Sequence, residues 1–257
     1  MISRYEATLN GVALSSINAD ILVLDINYEP PRMRYDSISV AKRFGSRIYR
    51  KHIVSVSVSI SFEIHTYDTQ ERQAICNAVA AWAKRGGVLE TNDRDGQELV
   101  CVCTELPVIG SARNWTDPIT MTFTAYEFPY WQEKEAVTLE LSGTESGDSL
   151  QVPGNIDGAF VEVEIAVTGS LSTLSTISLT VNGKTLTLSD LSVASGQDIV
   201  ISYDQQGIQS IKAGNTSLLD KRTGADDLLV NCGEVNSFAF VADESVRVTF
   251  SVKGAWA

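Results

Sequence analysis

From Val54 to His65 the chain alternates without a break, Val54, Val56, Val58, Ile60, Phe62 and Ile64 falling against Ser55, Ser57, Ser59, Ser61, Glu63 and His65. Successive side chains of a strand point to opposite faces, so the pattern predicts a long strand with one buried and one polar face. A second run repeats the design with Thr in place of Ser: Ile119, Met121, Phe123 and Ala125 against Thr120, Thr122, Thr124 and Tyr126. Both predict antiparallel, half-exposed strands. Their polar faces carry small hydroxyls rather than Lys, a surface that another protein can cover with little loss of side-chain entropy. An ordinary wet sheet face explains them equally well.

One helix is signposted between these strands, from about Thr69 to Arg85. Asp68 suits the N-cap and Glu71 falls at N3, while Lys84 and Arg85 stand near the negative C-terminal end with Gly86 as the stop. Ile75, Ala78, Val79 and Trp82 share one face, which predicts packing on a sheet with Trp82 as the largest anchor.

After Tyr126-Glu127-Phe128-Pro129-Tyr130-Trp131 the character of the chain changes. Residues 1–136 hold 14 basic and 17 acidic side chains, whereas 137–257 hold 6 and 15, so the net charge shifts from −3 to −9. No helix is predicted beyond that point. Strand-like runs are separated by turn signals such as Val152-Pro153-Gly154-Asn155, Asn182-Gly183 and Gln205-Gln206-Gly207, and Asn-Gly between two short apolar runs is a strong hairpin signal. The expected architecture is mainly β, in two β-sandwich domains, 1–136 with one packed α-helix and 137–257 of jelly-roll or galectin type.

The chemistry of enzymes is sparse. The two histidines, His52 and His65, are read as lying on or beside one strand, and no HExxH or similar ligand spacing is present. Gly110-Ser111-Ala112 lacks the flanking glycine of a nucleophile elbow. Asp93-Arg94-Asp95-Gly96 has the carboxylates of a calcium loop, but Thr91 and Val102 stand where the first and last ligands belong, so a hairpin turn is the better reading. Glu162 and Glu164 share a strand face, whereas glycosidase carboxylates normally come from separate elements flanking a cleft. Cys76, Cys101, Cys103 and Cys232 form no CxxC pair and are read as free thiols. Catalytic, metal and cofactor residues are therefore none. A net charge of −12 argues against bulk nucleic-acid binding, and no apolar stretch reaches the roughly 20 residues of a membrane helix.

Against that acidic background, Arg32, Arg34, Lys42, Arg43, Arg47, Arg50 and Lys51 crowd into twenty residues with Asp36 as the one acid. With Pro30-Pro31 and Gly45 present the segment predicts extended loops or a projecting hairpin. It is a solvated loop or an arm that docks on the acidic surface of a neighbouring copy, with a contact to DNA as the least favoured reading.

Taken in order, Leu9-Asn10-Gly11-Val12, the strand Ile21 to Tyr28, Arg43 to Ile48 leading into the long alternating strand, Tyr67-Asp68-Thr69-Gln70-Glu71-Arg72, the helix with Trp82, Phe128-Pro129-Tyr130-Trp131 and the closing Phe250 to Trp256 resemble the distal tail protein (Dit) family of siphophages. The resemblance covers nearly the whole chain. It implies a tail-tube-like N-terminal domain forming a hexameric ring, with a galectin-like sandwich at its periphery. It also implies a non-enzymatic hub in the virion tail tip, assembled in the host cytoplasm. Its partners would be the tail-tube, tape-measure and tail-tip hub proteins. Three other readings compete: a carbohydrate-binding tail module contacting the host surface, a tail-associated hydrolase acting on the cell wall, which the missing acid/base constellation disfavours, and a tail-tube protein with an added domain.

Overall fold

The structure, a computed structural model, describes residues 4–30, 33–39, 46–53, 55–108, 117–126, 128–169, 173–203 and 208–256. Backbone contacts gather the chain into two units that meet between Gln132 and Glu133, inside the strand that starts at Trp131.

The first unit is built from β1 (Ala7–Leu9), β2 (Val12–Ala13), β3 (Ile21–Glu29), β4 (Met33–Ser39), β5 (Ser46–Ile53), β6 (Ser57–Ile64), α1 (Thr69–Ala83), β7 (Gly87–Thr91), β8 (Gln97–Glu105) and β9 (Ile119–Ala125). Strands β3, β6, β9, β8, β7, β1 and β2 pair antiparallel in that order. Their inward residues, including Val58, Ile60, Phe62, Met121, Phe123 and Leu99, are closed to solvent.

Helix α1 starts where the Asp68 carboxylate accepts a hydrogen bond from the Gln70 amide at 2.8 Å. Glu71 does not reach back to the Asp68 amide as a capping box would. It accepts instead from the Thr66 hydroxyl at 2.6 Å, tying the helix to the loop before it. The buried stripe is Arg72, Ile75, Cys76, Val79, Trp82 and Ala83, so the expectation for Ala78 is corrected: it lies on the exposed side. The stripe is rotated because Cys76 and Ala83 turn inward, Cys76 donating to the Pro107 carbonyl at 3.7 Å. Trp82 meets Phe123 edge-on, with centroids 6.1 Å apart, and its indole N–H donates to the Val12 carbonyl at 3.0 Å. Burying an aromatic of this size while satisfying its polar atom is what pins the helix to the sheet. Gly86 then ends the helix at φ +60°, a conformation that costs glycine least.

β10 (Trp131–Gln151) carries the chain into the second unit, which continues with β11 (Asp157–Phe160), β12 (Glu162–Val167), β13 (Thr173–Leu174), β14 (Ile177–Val181), β15 (Lys184–Leu188), β16 (Val193–Ala194), β17 (Asp198–Tyr203), β18 (Gln209–Ala213), β19 (Thr216–Ser217), β20 (Arg222–Gly224), β21 (Leu229–Asn231) and β22 (Val235–Trp256). β22 organises this unit. Its first half pairs with β14 through Phe238–Ala242 and its second half with β12 through Val246–Ser251. It thereby serves one group of strands ordered β20-β15-β14 and another ordered β12-β17-β18-β19. Between the halves the Asp243 carboxylate accepts from the Ser175 and Thr176 amides at 3.1–3.2 Å. Phe238 and Phe250, both fully buried, meet across the interior with centroids 5.1 Å apart. Asn182-Gly183 forms the β14–β15 turn with both residues at positive φ, 49° and 77°, as a two-residue hairpin loop requires.

Candidate interaction surfaces

The hydroxyl faces of β6 and β9 lie side by side. Their register sets Ser57, Ser59 and Ser61 opposite Thr124, Thr122 and Thr120, and each pair is hydrogen-bonded at 3.2, 3.3 and 3.1 Å. Thr104 extends the ladder to Thr124 at 3.2 Å, and Thr122 donates to the Glu105 carboxylate at 2.9 Å. The polar groups of this face thus satisfy one another, leaving a surface of short side chains with little rotamer freedom to lose. Carboxylates border it: Asp25 and Glu29 stand opposite Ser61 and Ser57 on β3. Strands β3, β6, β8 and β9 contain no Lys or Arg.

The basic segment forms a two-stranded ribbon. β4 and β5 pair from Met33 opposite Ile53 to Ser39 opposite Ser46, with a bulge after Asp36, and among the described residues this sheet takes up no third strand. Arg34, Arg47, Arg50 and Lys51 lie on its two strands; Arg34 is exposed. Arg32, Lys42 and Arg43 lie outside the described residues.

His52 stands on β5 and His65 just past the end of β6, so the reading of both along one strand is corrected. The strand carrying His52 is Ser46–Ile53 and the one before His65 is Ser57–Ile64, with Val54 outside the described residues. His65 Nε2 sits 2.8 Å from the Glu63 carboxylate. The thiols are ill suited to nucleophilic work, because burial pushes Cys101 up to about 12 and raises Cys103 and Cys232 as well, and the thiolate is the reactive form. Glu162 and Glu164 are both exposed on β12. The aromatic side chains of the second unit are turned inward or onto each other: Phe160 stacks on Tyr203 at 4.4 Å, and Trp256 donates to Glu133 at 2.6 Å.

The Asp93-Arg94-Asp95-Gly96 segment is the β7–β8 connection, and its polar side chains are turned onto the body of the unit. Asp93 is hydrogen-bonded by the Tyr28 hydroxyl, which also meets Thr91 Oγ1 at 2.8 Å. Arg94 covers the rings of Tyr28 and Trp131. Sequence reasoning read the turn but not this clamp, since nothing in the spacing ties residue 94 to residues 28 and 131.

No protein-family model matches the chain, and no curated protein matches it. Among solved structures, the Dit protein of phage SPP1, described as a paradigm of the hub adsorption apparatus in phages infecting Gram-positive hosts, superposes with a TM-score of 0.72 at 11% identity, over 97% of this chain and 98% of its own. The phage P2 baseplate, in activated conformations with calcium and with strontium, aligns over 99% and 98% of this chain and 98% of the matched chains, at 10% identity. Its TM-score of 0.42 is too low to carry weight. Through both of its units, this chain has the fold of SPP1 Dit.

Proposed function

We propose that this chain is a non-enzymatic structural subunit of a long-tailed phage, a distal tail protein whose copies close into a hexameric ring joining the tail tube to the tail tip. The observation that carries the reading is the SPP1 Dit fold running through both units over 97% of the chain. The first unit supplies the ring, and the hydroxyl face of β6 and β9 lines its channel. With Asp25, Glu29, Glu63 and Glu105 on the strands around it and no cation on them, that lining repels a polyanion instead of retaining it. DNA can then pass without sticking. Tube protein docks above, with the tape-measure protein in the lumen, and the tail-tip hub below. The second unit is a galectin-like sandwich at the periphery, and the assembly resides in the virion after forming in the host cytoplasm.

Native mass spectrometry combined with particle imaging of the full chain tests this reading. A closed ring of six copies is the expected result. A chain that stays monomeric at every concentration, and also in the presence of tube protein, overturns it.

A further inference from the structure

Asn-Gly occurs twice in the chain, at Asn10-Gly11 and Asn182-Gly183. Both pairs form hairpin turns with positive φ at each residue, 51° and 77° in the first, 49° and 77° in the second. The pair suits such turns. It is also the dipeptide whose carboxamide is most open to attack from within the chain, because glycine sets no side chain beside its own amide nitrogen.

Each Asn is tied in the same manner to a segment outside its hairpin. The Asn10 amide donates to the Val88 carbonyl at 2.8 Å, its Oδ1 accepts from the Val88 amide at 3.0 Å, and its Nδ2 donates to the Gly86 carbonyl at 2.7 Å. The Asn182 amide donates to the Ser237 carbonyl at 3.0 Å, its Oδ1 accepts from the Ser237 amide at 3.0 Å, and its Nδ2 donates to Asn236 Oδ1 at 2.8 Å. A backbone amide can only donate, so each Oδ1 is fixed by its partner. Both carboxamides are thereby held on a neighbouring segment, away from the glycine amide that follows them.

The two clasps differ in what they are made of. Around Asn10 each of these partners is backbone, a Cβ on Gly87 would overlap the carboxamide, and the Trp82 indole anchors the same hairpin through the Val12 carbonyl at 3.0 Å. Around Asn182 the Nδ2 partner is a side chain. Asn236 is closed to solvent, its Oδ1 also accepting from the Asn231 amide at 2.9 Å and its Nδ2 donating to the Asn231 and Glu234 carbonyls at 2.9 and 3.0 Å. Asn182 and Gly183 are exposed, so water and base reach the pair whenever the clasp opens.

We infer that Asn182 is a site of spontaneous deamidation in the folded chain and that Asn236 gates it, whereas the backbone clasp on Asn10 keeps the other Asn-Gly pair shut. The Gly183 amide nitrogen gives up its proton and attacks Asn182 Cγ; the N–Cγ bond forms, the Cγ–Nδ2 bond breaks, and ammonia leaves with the proton. Water then opens the cyclic imide to aspartate or isoaspartate. Aspartate at 182 turns an oxygen toward Asn236 Oδ1 where a donor stood. Isoaspartate adds a carbon to the backbone of a two-residue turn. Either product loosens the β14–β15 hairpin from the turn before β22 and adds negative charge to the acidic half of the chain. The chemistry needs only the single chain, so it stands apart from the ring reading.

The full chain is incubated at mildly alkaline pH, folded and in urea, and peptide mapping by mass spectrometry follows the exchange of NH2 for OH at both sites. In urea the two sites should convert at similar rates. In the folded parent Asn182 should convert more slowly than in urea, and Asn10 more slowly still. Asn236→Ala, shown by circular dichroism to be folded, should speed conversion at Asn182 about fivefold, the factor one net hydrogen bond is worth in an opening equilibrium, and leave Asn10 unchanged. Conversion of Asn182 in the folded parent at the rate seen in urea, its absence there, or earlier conversion of Asn10 overturns the inference, as does an unchanged rate at Asn182 in Asn236→Ala. Should that variant fail to fold, the parent decides: low urea should accelerate deamidation at Asn182 and hydrogen exchange of the Ser237 amide together, and a rate at Asn182 that ignores this opening sinks the proposal.

Discussion

Arg94 sits over Trp131, its guanidinium carbon 5.1 Å from the ring centroid, and the same carbon is 4.7 Å from the centroid of Tyr28. Tyr28 meets Trp131 edge-on at 5.8 Å. One cation from the β7–β8 turn therefore covers two aromatic side chains that stand more than a hundred positions apart in the sequence. Trp131 is fully buried and its indole N–H has no hydrogen-bond partner among the described residues, so the cover over its ring is the favourable polar contact that side chain has.

Removing that cover should be felt in folding. Arg94→Ala loses both cation–π contacts and the packing of the aliphatic stem, and is expected to cost about 1–2 kcal/mol. Arg94→Lys, which keeps charge but not the planar stacking surface, should cost about half of that. Urea denaturation followed by tryptophan fluorescence measures both, and a loss in Arg94→Ala below roughly 0.5 kcal/mol would show that the stack is decorative.

The hydroxyl ladder should behave in the opposite way. Ser59 and Thr122 are bonded to each other across the sheet at 3.3 Å, and Thr122 also donates to the exposed Glu105 carboxylate at 2.9 Å, so replacing both with Val removes the cross-strand donor and acceptor together and returns Glu105 to water, and the β-branched pair suits a strand. Stability of the isolated chain should change by less than about 1 kcal/mol. Assembly should suffer instead, since an apolar pair on an exposed face invites nonspecific association. Unfolding midpoints and sedimentation profiles compared for the same variant separate the two effects. A large loss of stability with assembly untouched would place the ladder in folding instead of in the surface.

Periodicity made much of this legible before any coordinates. The buried faces of β6 and β9 follow residue by residue from alternation, the Asp68 cap and Gly86 stop fix α1, and Asn182-Gly183 locates the β14–β15 hairpin. What escaped depended on tertiary partners. Ala78 satisfies helical spacing as well as Cys76 does, and it is Cys76 that is turned inward, where it meets the Pro107 carbonyl. The clamp around Arg94 joins residues whose local patterns are unrelated. The charge shift suggested a boundary between residues 136 and 137, and backbone contacts divide the chain between Gln132 and Glu133.

Titration supplies a further check. Burial raises the Tyr28 hydroxyl above its ordinary 10.0, with the hydrogen bond to Asp93 adding to it, and pushes Cys101 from 9.0 to about 12. Both groups favour the protonated, neutral form in the folded chain. Their contribution is complete below the unfolded values and is lost as pH rises, because the unfolded chain then releases protons that the folded chain retains. Stability should fall steadily above about pH 9, and Cys101→Ala should flatten the first part of that decline, whatever its effect at neutral pH. Urea midpoints collected between about pH 7 and pH 10.5 decide the matter. An unchanged slope in Cys101→Ala would mean that this thiol titrates alike in both states.

The last expectation concerns the two units themselves. Phe238, Phe250, Val163, Ile165 and Ile201 close the interior of the second unit with residues drawn from within 133–256, while Trp82, Phe123 and Tyr28 do so for the first. A segment of about 120 residues that owns its core is large enough to fold alone. We propose that the two domains expected from the sequence at 1–136 and 137–257, which backbone contacts divide between Gln132 and Glu133, are separable folds. The cut falls inside β10, which is tolerable because Trp131 stays with Tyr28 and Arg94, and residues 133–151 keep β22 as their partner. Each piece, expressed separately, should unfold cooperatively and show dispersed amide resonances, and the full chain should show two calorimetric transitions near those of the pieces. If residues 133–257 are soluble yet unfolded while the full chain melts in one step, the second unit depends on the first and the chain is one cooperative fold.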